Sequence, residues 1–346
     1  MSLSARQRAE RLLVRALLRA PAPLLRPLRG APVRHEGLQL DPQIQLVLSL
    51  QRRMKRPLAL QLPLAQARRG LEADSQVLEA DAPRLASVEA LALQSGKGPI
   101  AARIYRPRGL RSPAPALVFY HGGGFVLGSL DSHDVPCRIL ATQARCVVIS
   151  VDYRLAPEHA FPAGIEDAIA AFRAVAADAN TLGLDPKRLA VGGDSAGGNF
   201  AAVVAQQTLR DKLRPCFQLL IYPTTDFTMS FPSVYSLASG FLLEKRSMDW
   251  FRDQYLQGHS DLKAPLASPL YGKLKGLPPA FVMTAGFDPL RDEGEAYARK
   301  MQEAGVKVRL RRYDSLVHGF LNMSGGVKAA RNAVRDAAQA LRQGLG

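Results

Sequence analysis

Ser195 lies between Gly193 and Gly197 in the run Val191-Gly192-Gly193-Asp194-Ser195-Ala196-Gly197-Gly198, directly after an apolar stretch. The chemistry offered by this pattern is nucleophilic. A serine that turns sharply from a strand into a helix takes a strained backbone conformation, so the positions two before and two after it must be small. With 28 glycines in the chain the pattern alone is weak, and its context carries the reading. Residues 189–191 read as the end of a strand and 199–210 as a helix, which puts Ser195 at their junction.

A nucleophilic serine needs a base and an acid, which follow an elbow of this kind in the order Ser, acid, His. Of the six histidines, His35, His121, His133, His159, His259 and His318, only His318 follows the best acid candidate near the C-terminus. That acid is Asp288, in the loop Gly286-Phe287-Asp288-Pro289-Leu290 that leaves a predicted strand at 281–285. Asp292 and Glu293 are the alternatives, but the helical composition of 291–304 carries them away from the strand ends. Standing alone, Asp288 reads as a helix cap ahead of Pro289. With Ser195 and His318 in the required order, the catalytic reading prevails.

Acyl transfer also needs N–H donors aimed at the developing oxyanion. His121-Gly122-Gly123-Gly124-Phe125 leaves a predicted strand at 116–120, and bare glycine amides can approach a ligand there. Gly122 and Gly123 are the predicted donors, together with the amide of Ala196 after the nucleophile. His121 reads as a structural histidine that fixes the loop, not as a second base.

These residues carry a resemblance. The chain resembles bacterial carboxylesterases of the hormone-sensitive-lipase-like family over about 114–320. The match rests on His121-Gly122-Gly123-Gly124-Phe125 with Gly128-Ser129 and Cys137-Arg138; on Asp152-Tyr153-Arg154-Leu155-Ala156-Pro157-Glu158-His159; on Gly193-Asp194-Ser195-Ala196-Gly197-Gly198; on Asp288-Pro289-Leu290-Arg291-Asp292-Glu293-Gly294; and on His318-Gly319-Phe320. The resemblance implies an α/β-hydrolase fold with a helical cap, a triad of Ser195, Asp288 and His318, and oxyanion amides at Gly122, Gly123 and Ala196. It further implies short- to medium-chain monoesters as substrates. Ala160, where the family usually has proline, is the one departure and lies outside the chemistry.

Eight predicted strands, at 87–93, 100–106, 116–120, 146–151, 189–191, 217–221, 281–285 and 306–313, must position these groups. The later ones alternate with helical segments, as a mostly parallel, doubly wound sheet requires. The expected organisation is an N-terminal part of a helical cap at 1–75, hydrolase core at 76–223, a cap insertion at 224–264 and core again at 265–346. In the insertion, Phe241-Leu242-Leu243, Met248, Trp250, Phe251 and Tyr255 form an apolar face over the pocket. Phe125, Phe241 and Leu242 are the expected substrate-facing residues.

Composition bounds the rest. A chain of 346 residues with 47% hydrophobic content buries one large core and a modest lid. Cys137, Cys146 and Cys216 show no paired spacing, so no disulfide framework, metal site or cofactor is expected and a cytoplasmic location is. No apolar run reaches bilayer-spanning length.

The formal charge of +16 is the feature the resemblance leaves unexplained. In residues 1–35, Arg6, Arg8, Arg11, Arg15, Arg19, Arg26, Arg29 and Arg34 stand against Glu10. Arg8, Arg11, Arg15 and Arg19 share one helical face while Leu12, Leu13, Leu17 and Leu18 fill another. The favoured reading is a solvated cap helix packing its leucines over the core. A weak membrane-surface anchor, a transit peptide and a nucleic-acid arm are the alternatives.

The sequence therefore predicts a serine carboxylesterase acting on a small-molecule ester through an acyl-enzyme, with no nucleic-acid partner. Its oligomeric state stays open, with a homodimer carried forward. Two other classes compete: a non-catalytic small-molecule-binding relative, against which His318 counts, and a peripheral membrane-associated lipase, for which only the arginine-rich start speaks.

Overall fold

The computed structural model describes residues 5–20 and 26–346. Its centre is an eight-stranded sheet in the order β10-β9-β8-β7-β5-β6-β4-β3. The strands are β3 (Ser87–Ser95), β4 (Gly98–Arg106), β5 (Ala114–Tyr120), β6 (Val147–Val151), β7 (Leu184–Asp194), β8 (Phe217–Ile221), β9 (Ala280–Phe287) and β10 (Val308–Val317). From β5 to β10 neighbouring strands run parallel, while β3 and β4 pair antiparallel and β4 runs antiparallel to β6. The central strands β6, β8 and β9 are buried along their whole length, as strands covered on both faces must be. All eight predicted strands are present. The sequence missed a short hairpin, β1 (Arg34–His35) with β2 (Leu38–Gln39), whose two-residue arms carry too little pattern to detect.

Helices cover both faces. On one, α6 (Ala163–Ala177), α7 (Ala196–Gln207) and α10 (Arg291–Glu303) enclose a core that includes Ile165, Phe172, Phe200 and Tyr297. On the other, α5 (Asp134–Ala144) and α11 (Lys328–Leu345) pack Leu140, Val334 and Leu341 against Phe119 and Leu219. In α11 the buried Ala330, Ala333, Val334, Ala337, Ala338 and Leu341 recur every three or four residues, and their small side chains let the helix lie close to the sheet.

Above the C-terminal strand ends lie α3 (Pro42–Arg53) and α4 (Leu64–Leu78) from the start of the chain, with α8 (Pro232–Ser236) and α9 (Lys245–Leu256) from the insertion. Before them come α1 (Ala5–Arg19) and α2 (Arg26–Arg29). Here α1 departs from expectation. Leu18 is buried with Leu46 and Val47, but Leu12 and Leu13 are 70% and 62% exposed. The inward positions go instead to Arg11 and Arg15, whose side chains keep only 16% and 12% of their exposure. Both pair with Asp81, at 3.1 and 2.9 Å, and donate to carbonyls of Glu79 and Ala80 just past the end of α4. The helix is therefore held by arginines on a carboxylate and on carbonyls, where a cation is favoured. The side chains of Arg6, Arg8 and Arg19 lie outside the described residues. No helix among the described residues is long and apolar enough to cross a membrane.

Two stability predictions follow from this corner. Leu18→Ala should cost about 2–4 kcal/mol in denaturant unfolding, and Leu12→Ala no more than about 0.5 kcal/mol. Equal losses would mean that α1 sits differently. Beside α1, the Glu79 side chain is buried, one oxygen lacks a partner, and burial raises its pKa to about 8 against the opposing pull of Arg11 and Arg15. A folded pKa above the usual 4.5 stabilises the fold at low pH, and that contribution is lost as pH rises toward about 8. Glu79→Gln should accordingly be more stable than wild type by about 3 kcal/mol at pH 9 and indistinguishable at pH 4. Melting curves at the two pH values check it.

Candidate active site

The elbow is built by steric exclusion. Ser195 has φ 55° and ψ −118°, a left-handed conformation that bulkier neighbours would not permit. A Cβ on Gly197 would lie 1.9 Å from the Tyr120 carbonyl oxygen, and one on Gly193 would lie 2.4 Å from that same oxygen. The Ser195 amide donates to the Ile221 carbonyl at 2.9 Å, which fastens the turn to the end of β8.

The three separated segments meet there. His318 Nε2 is 2.9 Å from Ser195 Oγ, and His318 Nδ1 is 2.8 Å from Asp288 Oδ2. A carboxylate only accepts, so Nδ1 carries the hydrogen and Nε2 is left to accept from the serine hydroxyl. Asp288 is fully buried and its other oxygen accepts the Leu290 amide at 2.9 Å, so it caps the following turn and orients the histidine at once. The N-cap position of α10 is Leu290, so Asp288 satisfies the turn ahead of the helix and does not cap the helix itself. The Tyr222 ring, 4.6 Å from that of His318, backs the imidazole.

The alternative acids have other partners. Asp292 accepts the Ser233 amide at 2.9 Å and pairs with Arg291. Glu293 is buried and accepts the amides of Thr225 and Asp226, at 2.6 and 3.2 Å.

One predicted oxyanion donor is corrected. The Gly122 amide donates to Asp194 Oδ1 at 2.8 Å, so its hydrogen is engaged behind the site and not offered to a ligand. A Cβ there would meet the Asp194 carboxylate at 2.4 Å, which explains the glycine by close approach instead. Gly123 and Gly124, with φ 130° and 61°, are the remaining glycines of the loop on the cavity. Ala196 opens α7, where the first amides have no acceptor within the helix. The sequence signal for Gly122 was the acid before the nucleophile, which had to find donors once buried.

Asp194 gathers more than Gly122. His133 Nε2 lies 3.1 Å from Oδ1 and the Tyr222 hydroxyl donates to Oδ2 at 3.3 Å. Burial opposes its ionisation, but the neighbouring His133 and the Gly122 amide outweigh that and hold the carboxyl below its usual pKa. His121 is fully buried, and burial beside His133 lowers its pKa to about 4. Its Nδ1 donates to the Gly122 carbonyl at 2.9 Å, and its ring stacks on Tyr153. It braces the loop, as expected.

A cavity of about 270 Å³ opens in front of Ser195. Phe125 borders it while its ring stacks on Tyr255 at 4.1 Å, and Leu242 lines it. Phe241 does not line it: its ring packs on Phe287, 5.2 Å away, on the core side. In the turn Phe241-Leu242-Leu243 only one direction faces the cavity, which adjacent apolar residues do not reveal from sequence. Met248 and Phe251 of α9 line it as part of the expected apolar face, and Trp250 lies against Phe251 instead, its ring tilted at 55°.

A family model for the α/β-hydrolase fold matches residues 117–322, a span that holds Ser195, Asp288 and His318. The chain is 45% identical to the carboxylic ester hydrolase LipN of Mycobacterium tuberculosis over 94% of its own length and 90% of that protein's. It is 40% identical to an ethyl acetate hydrolase of Pseudomonas putida, over 81% of this chain and 90% of that one. Among solved structures, a hyperthermophilic esterase from Pyrobaculum calidifontis superposes with a TM-score of 0.84 at 40% identity, covering 88% of this chain and 98% of that one. With the fold, the elbow and the order of the three segments all in agreement, the chain belongs to the hormone-sensitive-lipase-like carboxylesterases of the α/β-hydrolase fold.

Proposed function

We propose that this ester hydrolase acts on carboxylic esters of short to medium acyl length, with Ser195 as nucleophile, His318 as base and then acid, and Asp288 as the orienting carboxylate. Ser195 Oγ attacks the ester carbonyl carbon while its proton passes to His318 Nε2. The amides of Gly123, Gly124 and Ala196 hold the oxyanion. As the carbon–oxygen bond breaks, His318 returns the proton to the leaving alcohol. Water then attacks the acyl-enzyme by the same route, and the acid departs. The observation that carries this reading is the Ser195–His318–Asp288 hydrogen-bond chain, 2.9 and 2.8 Å, at the edge of the cavity. Met248 and Phe251 wall a space of about 270 Å³, which favours modest acyl groups.

We assign residues 1–75 and 224–264 to a cap and 76–223 and 265–346 to the core. Gln51, Leu71 and Ser75 from the first cap segment and Leu242, Met248 and Phe251 from the second line one cavity, which supports that division. Leu12 and Leu13, exposed on a helix in an arginine-rich stretch, support weak attachment to anionic membrane surfaces. Liposome binding that does not fall with salt would contradict it. Free Cys137, Cys146 and Cys216 support a cytoplasmic location. A homodimer is the assembly we carry forward, and light scattering checks it.

Ser195→Ala should lose about 10⁴-fold or more of the turnover of a 4-nitrophenyl ester with the melting temperature kept. Retention of a tenth of the activity would remove Ser195 from the role. Asp288→Asn should cost about 10³- to 10⁴-fold, and Asp292→Asn far less; the reverse order would reassign the acid. Along a series of 4-nitrophenyl esters, kcat/KM should peak at short or medium chains and fall for long ones.

Asp194→Ala should lower kcat by about 10²-fold with KM changed only a few-fold, because it frees the Gly122 amide and the loop behind the oxyanion. Asp194→Asn, which keeps an acceptor for Gly122, should recover part of the loss. A large KM change with kcat intact would place Asp194 in ground-state binding instead.

A further inference from the structure

Away from the reacting atoms the cavity has two unlike walls. One is apolar, with Met229, Met248 and Leu290 packed in a single cluster. The other is built by α4, whose Leu71, Ser75 and Leu78 face the cavity at the spacing of one helix side, and by Asn322 in the turn Phe320–Met323. The two elements are joined: Asn322 Nδ2 donates to Ser75 Oγ at 3.2 Å.

That pair is incompletely satisfied. Asn322 Oδ1 is buried and has no hydrogen-bond partner, and Ser75 is only 4% exposed. Exchanging the two ends of the amide does not help, since Nδ2 would then be the orphan. Ser75 Oγ accepts from Asn322, so its own hydrogen remains to be given to an acceptor. A buried acceptor without a donor is costly unless a ligand or an ordered water supplies one.

His318 decides which arm of the ester meets this wall. Its Nε2 must hand the proton to the leaving alcohol oxygen, so the alcohol arm departs on the histidine's side of Ser195. Asn322 follows His318 through one short turn and lines the same cavity. We propose that Ser75 and Asn322 form a subsite for a hydroxyl group on the alcohol arm, which makes short-chain esters of hydroxylated alcohols, of the glycol or glycerol type, the preferred substrates. A hydroxyl donates to Asn322 Oδ1 and accepts from Ser75 at once. An ammonium group only donates, and an alkyl arm leaves both groups unpaired. The inference rests on the ester-hydrolase reading above and adds its substrate class.

The test compares propyl butanoate with 3-hydroxypropyl butanoate on the purified full-length enzyme, each rate normalised to hydroxide-catalysed hydrolysis, with 4-nitrophenyl butanoate as reference. The hydroxylated ester should show kcat/KM about tenfold higher. Ser75→Ala and Asn322→Leu should each bring the ratio to within about twofold of one. A wild-type ratio near one, with the nitrophenyl ester still hydrolysed, overturns the subsite and leaves the esterase reading standing. Failure on the nitrophenyl ester overturns that reading itself. A preference that survives both substitutions overturns the assignment to these two residues. Should one variant not fold, the wild-type ratio and the other variant decide.

Discussion

The whole site depends on how closely the first turn of α7 approaches the end of β5. Only glycine at 193 and 197 allows the Tyr120 carbonyl to sit where it does, and that approach holds Ser195 at positive φ. The glycine loop that follows Tyr120 is thereby delivered beside Ser195. Backbone strain of this kind persists only where the surroundings over-determine it. Here the Ser195 amide bond to Ile221 and the pairing of β7 with both β5 and β8 do so.

Asp194 is the price of that geometry. The carboxylate before the nucleophile is buried at the sheet end, where an unpaired one would be very unfavourable. Gly122, His133 and Tyr222 answer it, and each belongs to a different segment. Tyr222 reaches further, because its hydroxyl also accepts the Leu321 amide just past His318. One buried charge therefore ties the glycine loop, the start of α5, the end of β8 and the histidine turn into a single unit.

Much of this was legible in the sequence. The strands, the meeting of Ser195, Asp288 and His318 and the glycine loop follow from motifs whose residue types are forced by geometry, so they survive translation into three dimensions. What failed was direction. Gly122, Gly123 and Gly124 are identical in type, and only the position of the Asp194 side chain tells which amide is engaged. Phe241 and Leu242 are equally apolar, and the chain turns one of them to the core. In α1 the buried face was wrong at Leu12 and Leu13, which stay exposed while Arg11 and Arg15 turn inward to Asp81 and the carbonyls after α4. Hydrophobic period reveals an amphipathic helix but not which face docks when the dock is polar.

The run Asp288 to Glu293 shows why three acids stand so close together. Asp288 orients His318, Asp292 holds the Ser233 amide at the start of α8, and Glu293 holds the amides of Thr225 and Asp226 where the chain leaves β8. Burial drives the Glu293 pKa well above the usual carboxylate range, and Asp226 and Asp288 nearby add to the shift. Burial thus disfavours a second charged carboxylate beside Asp288. Asp292 and Glu293 both fasten the first part of the insertion that walls the cavity, from Thr225 to Ser233.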